Sequence, residues 1–225
     1  ATTTAAATAI AATGAASTVC EVIPSETGGP YPGDGSNGPN VLVESGVVRS
    51  DITTSFGSMS GTATGVPLTV TLAINDSSTC APLAGAAVYL WHADAEGRYS
   101  LYSDGVTDQN YLRGVQETDA NGTVTFTTIF PGCYDGRWPH MHFEVYSSLA
   151  DATSTTGLIR TSQLALPEDA CNLAYTASGY ETSINNLSRQ SLTSDNVFSD
   201  DGAVHQLATA AGSIAARCPA QTPGH

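Results

Sequence analysis

The chain reads as an all-β protein, an antiparallel β-sandwich with long loops, on three observations. Apolar residues recur at every second position, the runs are short, and turn signals separate them. In order, "PLTVTLAIND" sets Leu68, Val70, Leu72 and Ile74 on one face. "AAVYLWHAD" alternates Val88 and Leu90 against Tyr89 and Trp91. "TVTFTTIF" alternates Val124 and Phe126, and "MHFEVY" alternates Met141, Phe143 and Val145. "DAEG" and "DANG" are the turns between such runs, and several runs in this arrangement specify packed antiparallel sheets. The late stretch "GSIAARC" fits a short helix or a last strand equally well.

Residues 1–19 are Ala/Thr-rich without a helical period and read as a flexible N-terminal segment; residues 20–225 form the sandwich domain. "TGGPYPGDGSNGPN" follows as a loop of turns. The 225 residues carry 21 acidic side chains against seven basic ones, a formal charge of −14. Without a basic stripe, neither nucleic acid nor an anionic membrane surface is an expected partner. Low lysine and abundant Thr, Ser, Gly and Ala suit a secreted protein, as does a start at Ala without Met. Five dispersed cysteines, Cys20, Cys80, Cys133, Cys171 and Cys218, contain no C-x-x-C pair. That is a poor zinc pattern and a reasonable disulfide pattern, so two bridges and one free thiol are expected, Cys133 being the thiol.

The chemistry concentrates in "CYDGRWPHMHF", residues 133–143. On a strand, residues i and i+2 share a face, so His140 and His142 project together while Met141, Phe143 and Val145 face the apolar side. Tyr134 lies just upstream, and "EGRYS" brings Tyr99 from the end of an earlier strand. No cysteine pair or carboxylate completes a zinc tetrahedron, and Glu144 on the histidine face is at best an outer neighbour. Two phenolates with two imidazoles form a hard, anionic set suited to a trivalent ion such as Fe(III). The alternative is that Tyr99 and Tyr134 are ordinary half-buried strand-end tyrosines. Trp91 and His92 read as core, Asp119 and Asn121 as a turn. Arg113 and Gln116 in "LRGVQ" fit pocket wall or simple packing.

Together, "ETGGPYP", "CAPLAGAAVYLWHADAEGRYS", "YLRGVQETDANGTVTFTTIFPGCY", "GRWPHMHFEVY" and "RTSQLALPED" resemble the intradiol ring-cleaving catechol dioxygenases, in their secreted, short-loop branch. The likeness runs from about residue 21 to 205, with "SDNVFSDDG" matching weakly. It implies a sandwich with a prealbumin-like core and one non-haem Fe(III) per chain. Tyr99, Tyr134, His140 and His142 would be the ligands, Tyr99 staying bound and Tyr134 departing during turnover. Arg137 and Gln163 would stand beside the substrate, and Thr27, Gly29, Pro30 and Tyr31 would fold over its mouth. The implied reaction is O2-dependent cleavage of a small aromatic diol to a cis,cis-muconate-type diacid, by a monomer or homodimer.

The competing readings are a non-catalytic prealbumin-like extracellular binding module and a zinc- or copper-binding sandwich using the same histidines. Two departures from the resemblance stand out. Only five residues separate Tyr134 from His140, where longer relatives insert a pocket-lining loop, and a helical dimerisation segment is missing.

Overall fold

Alternation along 67–73 becomes a strand with one face turned inward, and that pattern repeats through the computed structural model, which describes residues 20–212. The strands are β1 (Pro67–Ala73), β2 (Ala87–Trp91), β3 (Arg113–Glu117), β4 (Thr123–Ile129) and β5 (His140–Tyr146). Helix α1 (Leu149–Thr153), strand β6 (Leu158–Ala165) and helices α2 (Glu168–Ala174) and α3 (Glu181–Leu187) follow. All strand pairs are antiparallel: β1 pairs with β4, and a four-stranded sheet runs β3-β2-β5-β6. No described helix is long and apolar enough to cross a membrane.

The two sheets meet in one apolar layer, as the alternation requires. Val88, Leu90, Met141, Phe143 and Val145 from the larger sheet pack with Val124 and Phe126 from the smaller one, and Leu68, Val70, Leu72 and Ile74 close the layer. Phe126 is fully buried there, so Phe126→Ala would cost about 3–5 kcal/mol. The opposite face of the larger sheet is also covered. Tyr89, Trp91 and Tyr99 pack with Val41, Leu42 and Val47 from the loops before β1. β5 is therefore buried along its whole length, on both faces.

One register row matters for the site. Arg113 pairs with Trp91, Trp91 with His142, and His142 with Gln163, so these four stand in line across β3, β2, β5 and β6. No local sequence pattern specifies that row, because it depends on three separate strand pairings.

Cys20 and Cys80 form a disulfide. Cys133 is a buried free thiol, as expected. Cys171, on α2, is a buried free thiol too, against the expectation of a second bridge, and both thiols lie in the same apolar cluster. Cys218 and most of "GSIAARC" lie outside the described residues, as do residues 1–19.

Candidate metal centre and active site

β5 delivers both imidazoles to one point, and two loops bring the phenols. His140 Nε2 lies 3.1 Å from His142 Nε2, 3.2 Å from Tyr134 Oη and 3.4 Å from Tyr99 Oη. Four donor atoms, two oxygen and two nitrogen, therefore gather around one centre. Among the described residues no three His, Cys, Asp or Glu side chains are placed to hold a metal, so any such set must draw on the tyrosines.

The local chain explains the convergence. Tyr99 follows Gly97, whose φ of +83° is open to glycine, and a Cβ there would stand 2.9 Å from Tyr134 Cβ. The bare glycine thus lets the two tyrosine loops touch. The phenol rings meet edge to face, with centroids 5.8 Å apart. His140 Nδ1 lies 2.5 Å from the Trp138 carbonyl, which fixes Nδ1 as the protonated nitrogen and leaves the Nε2 lone pair facing the centre. His142 is held differently. Its Nδ1 is buried without a well-formed hydrogen bond, the Thr27 backbone being only a weak partner of the ring, and the ring stacks on Trp91 at 4.9 Å and 8°.

Burial governs the ionisation of all four groups. It lowers the His140 imidazole to about 3, with the positive Arg137 as the next cause, and holds His142 well below the ordinary histidine range. The same burial raises the phenols, Tyr99 far above its ordinary value and Tyr134 less. Neutral imidazole is the ligating form, and a bound cation offsets the cost of ionising a phenol, so the donor set fits a hard, highly charged metal ion.

Arg137 reaches in from the short link between Tyr134 and His140. Its Nη1 is 3.4 Å from His140 Nε2, and its Nη2 donates to Gln163 Oε1 at 2.7 Å. Gln163 Nε2 in turn donates to the Thr27 carbonyl at 2.8 Å, tying the glycine-rich strap to the site. Gly29 lies against the His142 ring, and the Tyr31 ring sits 5.0 Å from that of Tyr99. Pro30 is exposed, its carbonyl taken by Asn37 Nδ2 at 2.6 Å. The ten residues singled out from the sequence thus occupy one neighbourhood. Of the other residues weighed there, His92 is core, bonded to Thr128 Oγ1 and the Ala93 carbonyl. Asp119 accepts amides of Asn121 and Thr123, as a turn aspartate does.

Sequence reasoning missed Asp195 and Phe198. Asp195 is fully buried, and its Oδ2 accepts from Arg137 Nε at 2.8 Å and from the Trp138 amide at 2.7 Å. The Arg137 guanidinium also lies 5.7 Å over the Phe198 ring, which packs 6.4 Å from His140. Both belong to "SDNVFSDDG", the stretch whose likeness was weak.

A family model described as Dioxygenase matches residues 37–169, more than half of the chain and a span that includes all four donors. The chain belongs to the intradiol ring-cleavage dioxygenase family.

Among curated members, catechol 1,2-dioxygenase 1 of Acinetobacter lwoffii is 33% identical over 93 residues, covering 33% of this chain and 30% of that protein. Chlorocatechol 1,2-dioxygenase of Rhodococcus opacus is 35% identical over 54 residues, covering 24% and 21%. The matched stretch is thus under a third of either relative's own length. An intradiol ring-cleavage dioxygenase from Tetranychus urticae superposes with a TM-score of 0.64 at 29% identity, covering 84% of this chain and 85% of that one. The likeness to the Tetranychus urticae dioxygenase extends over most of both chains, whereas the matches to the two curated relatives are short.

Proposed function

We propose that this chain binds one non-haem Fe(III) through Tyr99, Tyr134, His140 and His142 and cleaves catechol-type aromatics between their hydroxylated carbons with O2. The product would be a cis,cis-muconate-type diacid. The observation that carries the reading is the approach of two phenol oxygens and His142 Nε2 to within 3.4 Å of His140 Nε2, in a member of this family. Ferric iron held by these four residues would supply Lewis-acid activation of a bound catechol.

The chain's own residues do the rest. Tyr134 is less buried than Tyr99 and is the phenol able to turn outward. Ionised when a cation is bound, its phenolate Oη would take up the proton of an incoming catechol hydroxyl and become a neutral phenol. Arg137 and Gln163, already bonded to each other, present a preorganised cationic and amide pair to the negative charge that develops on the activated ring. Tyr31 and the strap behind it cover the mouth and exclude water. An extracytoplasmic location suits the Cys20–Cys80 disulfide, and the unit is a monomer or homodimer.

Oxygen uptake by the iron-loaded protein with catechol tests the reading. A muconate-type diacid in step with O2 consumption is the expected product, whereas a yellow extradiol semialdehyde, or no uptake at full iron occupancy, contradicts it.

A further inference from the structure

Arg113 has an unusual environment for a guanidinium. It is 1% exposed and pairs with no carboxylate among the described residues, yet all its nitrogens are engaged. Nη1 donates to the Pro32 carbonyl at 2.8 Å and to Tyr89 Oη at 3.1 Å. Nη2 donates to the carbonyls of Tyr31 at 2.9 Å and Ser100 at 3.0 Å, and Nε donates to Ser100 Oγ at 3.0 Å. A buried cation without a counter-charge is costly, and a satisfied fork of five donors is the arrangement that offsets it. Lysine cannot reproduce that geometry, since its ammonium has three donors and no plane.

Four of the five acceptors fall on two functional segments, and the fifth, Tyr89 Oη, stands on β2 and itself donates to the Pro32 carbonyl at 2.7 Å. Tyr31 and Pro32 belong to the strap over the mouth, and Ser100 directly follows Tyr99. The guanidinium therefore bolts the Tyr31 backbone to the Tyr99 turn, and the two rings it aligns stand 5.0 Å apart. Tyr102, beneath the guanidinium at 5.5 Å, accepts the Gly33 amide at 2.9 Å and donates to the Asn37 carbonyl at 3.0 Å, extending the same anchorage along the strap. The base of Arg113 is set by register, on the row that also holds Trp91, His142 and Gln163.

We infer that Arg113 is a positioning residue for substrate binding: it holds the 31–33 strap at a fixed spacing from Tyr99, so that Tyr31 forms one wall of the mouth. The substrate-binding part of this inference rests on the proposed dioxygenase reading, while the strap's anchorage does not. Gly33 offers the same contact from the other side. With φ at +68° and an added Cβ only 2.8 Å from Arg113 Nη1, Gly33→Ala would push the strap off the guanidinium without altering any buried charge.

Arg113→Lys, Gly33→Ala and, as a control, Arg49→Lys test the inference by two independent measurements. Arg49 is another guanidinium spent on backbone carbonyls, those of Arg113, Thr54 and Asn110, and it makes no strap contact among its hydrogen bonds. Hydrogen exchange in Arg113→Lys and Gly33→Ala should speed up by about tenfold or more at the Gly33 and Val41 amides, the effect of losing one charge-assisted bond. Their KM for catechol should rise about fivefold or more, with kcat within about twofold, because the strap binds substrate while the donor set stays in place.

Arg49→Lys, which touches the Arg113 carbonyl but no strap atom, should change strap exchange and KM by less than about twofold, well below the effect of either test variant. Unaltered strap exchange in both test variants overturns the anchorage. Faster exchange with unchanged KM overturns the positioning role. Absence of O2 uptake in the wild-type protein would fail the dioxygenase reading instead, and the exchange result would still stand or fall alone.

Discussion

Arg137 and Asp195, 58 positions apart, form a 2.8 Å ion pair whose carboxylate is wholly buried. The carboxylate also caps the Trp138 amide, so Asp195 fixes both the arginine and the backbone that leads into His140. Removing one partner of such a pair strands the other charge. Asp195→Ala should destabilise the protein by about 3 kcal/mol and lower kcat by at least about tenfold. Asp195→Asn should fold better yet still lose activity, read by denaturant midpoints beside O2 uptake. Full activity in Asp195→Asn would show that Arg137 needs no anchor.

The same carboxylate predicts an acid limb in stability. Burial pushes its pKa up, but the Arg137 bond and the amides of Trp138 and Val197 outweigh burial and hold it below the usual carboxylate range. A group depressed in the folded state stabilises above its unfolded value of about 3.9, and that contribution fades as pH falls through the folded value. Urea midpoints should therefore drop more steeply below about pH 4 in wild type than in Asp195→Asn. Parallel curves would contradict the linkage.

Trp91 holds His142 by stacking where the ring has only the weak backbone partner Thr27. Metal-bound histidines ordinarily depend on such an outer partner for ring orientation, and losing it weakens metal affinity by about 10–100-fold. Trp91→Leu should show iron affinity reduced on that scale in a chelator-competition titration. Trp91→Phe, which keeps a ring, should recover much of it. Equal losses in both would assign Trp91 to packing alone.

Charge at the mouth points to substrates without a ring carboxylate. Arg137 is already paired with Asp195 through Nε, Arg113 is spent on the strap, Arg189 pairs with Asp135, and the sequence has no lysine. Glu26 lies within electrostatic reach of Arg137, and Asp200 and Asp201 add negative charge around Glu26. Catechol should be used with a kcat/KM at least about tenfold above protocatechuate at low salt, the gap narrowing as salt rises. A preference for protocatechuate would overturn this.

Much of the site was legible because its chemistry is local. Period-two alternation placed His140 and His142 on one face of β5 and Met141, Phe143 and Val145 on the other, and short motifs marked Tyr99 and Tyr134. What escaped was non-local. Asp195 sits in an irregular segment with no periodicity, and only the fold brings it under Arg137. The register row from Arg113 to Gln163 required three correct strand pairings. The residues after β5 carry three short helices, of five to seven residues each, that an alternation-based reading did not distinguish from loops. The free Cys171 likewise depends on which chains pack beneath α2, which spacing along the sequence does not encode.

The account rests centrally on two tyrosines meeting two histidines at one metal ion, and the visible absorption spectrum of the protein loaded with ferric iron tests it most directly. One iron per chain should give a broad phenolate-to-iron band and a burgundy colour, with Tyr99→Phe and Tyr134→Phe each changing the band. A colourless protein at full iron occupancy, or a band that neither substitution alters, would contradict it.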